Sequence, residues 1–349
     1  SQHQSSLVFL GGQRQASIPA ALTQSGPDPM TDGGESQLAS AVLMIRPTRF
    51  ESNPHTAESN RFQGRNPDSP ARQQKDAEAE FTVLREALEA AGITVVQFDD
   101  TSEPHTPDAI FPNNWVSFHA DGTVVLYPMM APNRRTERRS DIIESLVDDY
   151  GFQVKDVVDL SGHEADDQFL EGTGSLVLDR VNHIAYACLS PRTHLEALAD
   201  FSQRLDYEVI AFDAVDRDGA PIYHTNVLMN VGEELAVVCA EAIPREDQRE
   251  AVLSSLRGTG HDVIEISHGQ MDAFAGNMLE LRSSSGERIT AMSEQARRSL
   301  AADQLARIEA SATIVSAAID KIESSAGGSV RCMLAEIHLA RSATDNATD

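Results

Sequence analysis

In "YHTNVLMN", residues 223–230, a histidine and an asparagine stand two apart at the mouth of an apolar, strand-like run, so His224 and Asn226 would share one face. A lone histidine is usually structural, and it gains a chemical reading only in company. A cysteine serves as a nucleophile in its thiolate form; it needs a histidine to manage the proton and a third group to orient that histidine or balance its charge. Of the three cysteines, Cys188 and Cys239 lie inside the apolar runs "HIAYACL" and "ELAVVCA", where cysteine acts as a small hydrophobe. Cys332 follows the glycine pair of "AGGSVRCMLAEIHL" and is the thiol to watch. Glu171, between "FL" and "GTG", is a carboxylate placed for burial beside a catalytic group.

These residues are far apart in the chain, so the elements between them must bring them together. Between about residues 40 and 340 one phrase recurs: a loop, two short apolar strands around a turn, an amphipathic helix, and another strand. "WVSFHADGTVVLYP" (115–128) is a hairpin with Asp121-Gly122 at its turn. "GSLVLDRVNHIAYACL" (174–189), "NVLMNVGEELAVVCA" (226–240) and "NMLELRSSSGERITAM" (277–292) follow the same plan, at a spacing that signals a repeat architecture. The leftover strands "SAVLMIRP" and "VRCMLAEIHL" can pair to complete a fifth unit, closing a ring. In such a ring the loops before the hairpins converge at one end: "IFPNNW", "FLEGTG", "YHTNV", "FAGNM" and "GGSVRC". They would gather Asn113, Asn114, Glu171, His224, Asn226, Asn277 and Cys332 into one pocket.

"IFPNNW", "LEGTGS", "HTN" and the terminal "GGSVRCM" resemble the signatures of the arginine deiminase and amidinotransferase superfamily, the penteins, and most closely its citrulline-hydrolase branch. The resemblance spans about residues 41–338. It implies an α/β fold, a five-bladed α/β propeller of pseudo-fivefold repeated β-β-α-β units. It also implies no metal or organic cofactor, and a catalytic Cys332, His224 and Glu171 acting on the carbon of a guanidino or ureido group. The departures carry the substrate reading. In the deiminase branch the segment matching "FPNN" ends in aspartate and "HTN" carries aspartate in third place, and the two carboxylates grip a guanidinium. Here both are neutral, Asn114 and Asn226. A buried cation needs a compensating anion, whereas an uncharged ureido group needs donors and acceptors, which amides supply. Relatives that strip a guanidino group completely share asparagine at the first of these positions. Two neutral positions favour citrulline, converted to ornithine, ammonia and carbon dioxide through a covalent intermediate on Cys332. The alternatives are a guanidino-group hydrolase, acting as an arginine dihydrolase or on dimethylarginine, and a non-catalytic propeller that only binds. For the substrate's α-carboxylate the resemblance selects Arg192 in "LSPRT", with Asn53 in "FESNPHT" as a further contact.

Composition narrows the remaining classes. A net charge of −26 opposes nucleic-acid binding, which needs basic residues to replace phosphate counterions. No stretch approaches the roughly 20 apolar residues of a membrane span, so a cytoplasmic protein acting on a small amino-acid substrate is expected, with homo-oligomerisation left open. Residues 1–38, rich in Ser, Gln, Gly and Pro, read as a disordered leader with Met30 a candidate natural start. Residues 39–340 read as one catalytic domain and 341–349 as a polar tail. "GHEADD" (162–167) reads as a solvated loop rather than metal ligands, and "EGTG" lacks a dinucleotide fingerprint. The basic cluster "PNRRTERR" (132–139) reads as pairing with acids or supporting the site.

Overall fold

The computed structural model describes residues 9–10, 35–64 and 66–342. Its strands are β1 (Phe9–Leu10), β2 (Ala41–Arg46), β3 (Thr94–Asp99), β4 (Val116–Phe118), β5 (Thr123–Leu126), β6 (Asp156–Asp159), β7 (Val177–Asp179), β8 (Ile184–Leu189), β9 (Glu208–Asp213), β10 (Met229–Val231), β11 (Leu235–Val238), β12 (Asp262–Glu265), β13 (Leu279–Arg282), β14 (Arg288–Ser293), β15 (Thr313–Ala317) and β16 (Ala335–Ile337). They form five small sheets with one recurring topology, an antiparallel hairpin whose second strand pairs in parallel with a third. The orders are β4-β5-β6, β7-β8-β9, β10-β11-β12, β13-β14-β15 and β16-β2-β3, with β1 added antiparallel to β9. The last sheet joins the two ends of the chain, Leu43 opposite Ala335 and Val42 opposite Val95, as the leftover strands anticipate.

The parallel pairing requires a crossover, and helices supply it. Pro70–Ala90 links β2 to β3 and buries Ala77, Phe81, Leu84 and Leu88, one face at helical spacing; Ser69 caps its start by accepting from the Arg72 N–H. Ser140–Asp148, Leu195–Leu205, Glu246–Gly258 and Ala302–Ser311 play the same part in the other units. Middle strands such as "IAYACL" are apolar almost throughout because sheet neighbours and helices cover both faces. Neighbouring sheets meet through their first strands, β16 beside β4, β7 beside β10, and β10 beside β13.

Three expectations meet a different structure. Most of the 1–38 leader lies outside the described residues, but Glu35–Leu38 is packed. Gln37 donates to the carbonyls of Leu178 and Val231, and Glu35 pairs with the buried Arg180 at 2.8 Å. A polar segment can satisfy buried groups without apolar periodicity, which is why composition misreads it. The strand expected in "FQVKDVV" begins only at Asp156. In "VRCMLAEIHL" only Ala335–Ile337 is strand, while Val330–Met333 is a tight 3-10 turn that presents Cys332. Of the polar tail, Arg341 and Ser342 are described, Arg341 stacking on Phe152; residues 343–349 lie outside the described residues.

Candidate active site

The five loops preceding the hairpins touch one another in a closed cycle. Thr173 donates to the Asn113 carbonyl (3.4 Å), and Thr225 donates to the Ser175 carbonyl (2.5 Å). Asn277 donates to the Asn226 carbonyl at 2.9 Å and accepts from the Arg331 N–H at 3.0 Å. The cycle closes where Gly328 lies so near the Phe111 ring that a β-carbon there would sit 2.7 Å from it. Within it lies a cavity lined by Asn114, Arg192, His224 and Cys332, together with Asn60, Asp108, Phe111, Arg134, Tyr223, Ala326 and Gly328. Four of the residues expected to form the site therefore line one cavity. Glu171, Asn113, Asn226 and Asn53 stand behind it, each buried.

Glu171 and His224 are joined directly, Nε2 to Oε2 at 2.8 Å, with both side chains buried. A carboxylate accepts only, so Nε2 carries the proton and Nδ1 keeps its lone pair. The "EGTG" loop permits this approach. Gly172 has φ +48° and stands against the Asn113 carbonyl, while a β-carbon on Gly174 would lie 2.7 Å from His224 Nδ1 and 2.5 Å from Asn114 Nδ2. Burial pushes the His224 imidazole down to about 4, against the opposing pull of Glu171, so the ring rests neutral. Burial alone would raise the Glu171 carboxyl, but Arg192, His224 and Arg134 outweigh it and hold the group well below the usual carboxylate range.

The Cys332 sulfur receives two amide donors, Asn277 Nδ2 at 3.3 Å and Asn226 Nδ2 at 3.4 Å. Negative charge that builds on sulfur as its proton leaves therefore meets hydrogen-bond donors. Asn226 Oδ1 is buried without a partner, an acceptor held in reserve beside the nucleophile. Asn114 is oriented the other way. Its Oδ1 accepts from Arg134 Nη1 at 2.8 Å, and arginine has no acceptor, so the amide nitrogen is the end left to donate; one of its hydrogens goes to Asn113 Oδ1 at 2.9 Å. Asn113 Nδ2 has no partner.

Arg192 lies over the Tyr223 ring at 4.9 Å and donates to Ser59 Oγ and the Thr56 carbonyl, with Glu171 Oε2 at 3.5 Å. Asn53 does not line the cavity; it exchanges hydrogen bonds with Asn133 and donates to Asp108 Oδ2 at 2.7 Å. Two charged cavity residues, Asp108 and Arg134, are not singled out by the sequence reading. Asp108 keeps Oδ1 buried and unpartnered. Arg134 is clamped by Glu137 through two bonds of 2.9 and 2.8 Å. The cluster "PNRRTERR" is the only signal for Arg134, and clustering does not say which arginine turns inward; Arg135 and Arg138 instead pair with Glu164. That pairing, with His163 on Asp200 at 2.9 Å, anchors two side chains of "GHEADD", while Gly162, Ala165, Asp166 and Asp167 stay exposed as a solvated loop would.

A family model described as N,N dimethylarginine dimethylhydrolase, eukaryotic, matches residues 46–339. No curated protein matches the sequence. Among solved structures, the N-terminal domain of ArgZ, an arginine dihydrolase from the ornithine-ammonia cycle in cyanobacteria, superimposes with TM-score 0.64 at 17% identity over 85% of this chain and 97% of that one. Against full-length ArgZ the match spans 40% of that chain. Unliganded AgrE gives TM-score 0.65 at 18% identity over 85% of this chain and 39% of that one. Dimethylarginine dimethylaminohydrolase from Pseudomonas aeruginosa, in complex with citrulline, gives 0.59 at 14% identity over 86% of this chain and 100% of that one.

Proposed function

The chain belongs to the N,N-dimethylarginine dimethylhydrolase family of the pentein superfamily, enzymes that hydrolyse C–N bonds of guanidino groups, and from that premise we propose that its substrate is L-citrulline. The observation that carries this reading is the charge of the cavity wall, where Asp108 is the single carboxylate among the lining residues. A guanidino amino acid brings two cations, its ammonium and its guanidinium; citrulline brings one. Asp108 Oδ1 has no hydrogen-bond partner and is open to an ammonium, while its Oδ2 lies 3.8 Å from Arg134 Nε; Arg192 and Arg134 face the cavity as partners for the α-carboxylate. No carboxylate remains for a second cation, since Glu171 is already shared among His224, Arg192, Arg134 and the Met130 N–H. The head-group positions suit a ureido: Asn114 offers a donor for its carbonyl oxygen and Asn226 Oδ1 an acceptor for its N–H.

The His224 tautomer that the Glu171 contact selects supports the following chemistry. His224 Nδ1 takes the Cys332 proton, and the thiolate attacks the ureido carbon while the Asn114 amide donates to the developing oxyanion. Collapse expels ammonia, which leaves with the proton held by His224, and a thiocarbamate remains on Cys332. His224 then draws a proton from water, which attacks the thiocarbamate carbon; the thiol is restored and the released carbamate breaks down to ornithine and carbon dioxide. Glu171 keeps the imidazole in one tautomer and balances its charge when protonated.

A guanidino substrate, arginine or a methylated arginine, is the second reading, and family membership favours it. The same proposal takes the five sheets as blades of one α/β propeller forming a single catalytic domain, supported by the closed cycle of loops, and places it in the cytoplasm. Among the described residues no helix is long and apolar enough to cross a membrane.

The test is kcat/KM for citrulline, arginine and dimethylarginine in the wild type, Asn114→Asp, Asn226→Asp and the double variant. Each carboxylate should move the citrulline-to-arginine ratio toward arginine by roughly tenfold to a hundredfold, the equivalent of about 1–3 kcal/mol for a mismatched buried polar group. The shift should be smaller at position 114, where Arg134 absorbs part of the new charge. A wild type that prefers a guanidino substrate, or an unmoved ratio, replaces citrulline with the second reading.

A further inference from the structure

Where β11 returns to the start of β10, with the Cys239 N–H on the Leu228 carbonyl, three side chains of different chemistry converge outside the cavity lining. The Cys239 sulfur, a carboxylate oxygen of Glu241 and a ring nitrogen of His268 all lie within 4.8 Å of one another, the one such trio among the described residues. Cys239 ends the run of β11 and enters a tight turn that places Glu241 two residues on. His268 opens the short helix His268–Asp272, which a Ser267–Gln270 capping box fixes in orientation.

The two nitrogens of His268 make unequal demands. Nε2 stands 3.4 Å from the Val215 carbonyl oxygen, an acceptor, so Nε2 carries the hydrogen. Nδ1 stands 3.0 Å from Glu241 Oε1, also an acceptor, which in addition takes the His268 backbone N–H. In a neutral imidazole two lone pairs would face each other there. A neutral imidazole can serve only one of these two acceptors, so a second proton or a metal ion would serve the other, and the sulfur at the third corner favours the metal. A proton is satisfied by nitrogen and oxygen alone, whereas a cation of zinc's character takes sulfur, nitrogen and oxygen together. Zinc bonds of about 2.0–2.3 Å at tetrahedral angles set such ligand atoms roughly 3.3–3.7 Å apart, so Nδ1 and Oε1, now 3.0 Å apart, would open slightly while the sulfur, within 4.8 Å of both, stays in range. Metal-bound histidines also characteristically donate their other N–H to a carbonyl or carboxylate, the role Val215 fills.

We propose that Cys239, Glu241 and His268 bind one zinc-like divalent cation, with Nδ1 as the histidine ligand and water in the fourth position. Glu241 is exposed, so the ion can enter from solvent; on binding, the thiol proton leaves to solvent as the metal–sulfur bond forms. None of the three lines the catalytic cavity, so the site staples the turn after β11 to the helix at His268 and stands apart from the reaction.

Cobalt(II) is the probe. The full chain, stripped with a chelator and titrated with cobalt, should develop the thiolate-to-metal charge-transfer band and the intense visible bands of four-coordinate cobalt, saturating at about one equivalent and displaced by zinc. The band should vanish in Cys239→Ser and persist in Cys332→Ser. His268→Gln and Glu241→Gln leave the buried thiol in place and should weaken cobalt binding at least about tenfold, which keeps the test decisive if Cys239→Ser fails to fold. No band in the wild type, a band surviving in Cys239→Ser or lost in Cys332→Ser, or unchanged affinity in both glutamine variants would overturn the proposal.

Discussion

Cys332 stands apart from the other two cysteines by its surroundings, since all three are buried. Burial pushes the thiols of Cys188 and Cys239 up to about 12, and neither faces the cavity, whereas Cys332 faces it and takes donors from Asn226 and Asn277. Cys332→Ser should therefore abolish turnover of citrulline while thermal melting stays within a few degrees of the wild type, because a hydroxyl cannot be deprotonated by the same imidazole to a useful extent. Activity and melting measured on the same preparation check this; near-normal turnover would remove Cys332 from the mechanism. At this scale the sequence is informative where residue type alone carries the meaning, as for the thiol after a glycine turn. It is silent on Asp108 and points to Arg134 only through its cluster, because an aspartate in "PDAIF" and one arginine among four are ordinary residues until the fold turns them inward.

The element that presents Cys332 has its own titration. Helix Asp320–Ala326 ends at Gly327, and Glu323 reaches from it to accept from Ser329 at 2.6 Å, tying the helix to the turn that carries the nucleophile. Burial raises the Glu323 carboxyl to about 7, with hydrogen bonds from Ser293 and Ser329 working the other way. The folded state thus holds a proton that the unfolded chain, titrating at the ordinary glutamate value of 4.5, releases earlier. The stability from that protonated form is present below about pH 4.5 and lost as pH rises through about 7, up to about 3 kcal/mol by linkage. Glu323→Gln keeps a neutral group of similar shape, so its melting temperature should gain on the wild type between pH 5 and pH 8. A gap that does not widen with pH would mean Glu323 is ionised throughout. Strands and helices at this scale follow from apolar patterning, but the 3-10 turn at Val330–Met333 does not: "VRCML" reads as strand, and only docking of Arg331 N–H on Asn277 and Cys332 beneath the cavity selects the turn.

Across the whole molecule the dominant feature is charge, 28 basic against 54 acidic side chains, a net −26. Much of the basic complement is already engaged at the surface, as in Arg46 with Glu78 and Asp99, or Arg288 with Glu233 and Glu234. The surplus of carboxylates has no such partners and repels itself, and raising ionic strength shortens the range of that repulsion to about 3 Å at 1 M. The melting temperature should rise as KCl is increased from low to molar concentration. A flat or falling curve would show that screening of the surface ion pairs cancels the gain.

The sequence by itself determined the repeated unit, its pairing of the two chain ends, and which loops hold polar residues, because short-range patterning and turn chemistry encode these locally. It also determined the thiol, imidazole, carboxylate and amide types on which any chemistry here depends. What only the tertiary structure decided is orientation and charge balance: that Glu171 takes His224 Nε2, that Arg134 takes the Asn114 Oδ1 and leaves its amide nitrogen as the donating end, and that Asp108 is the single carboxylate on the cavity wall. Those are relations among residues apart in sequence: Glu171 and His224 come from different units, 53 residues apart, and even Asn114 and Arg134, 20 residues apart within one unit, meet only once the chain has folded back. No local pattern records them, because a buried charge is defined by what surrounds it.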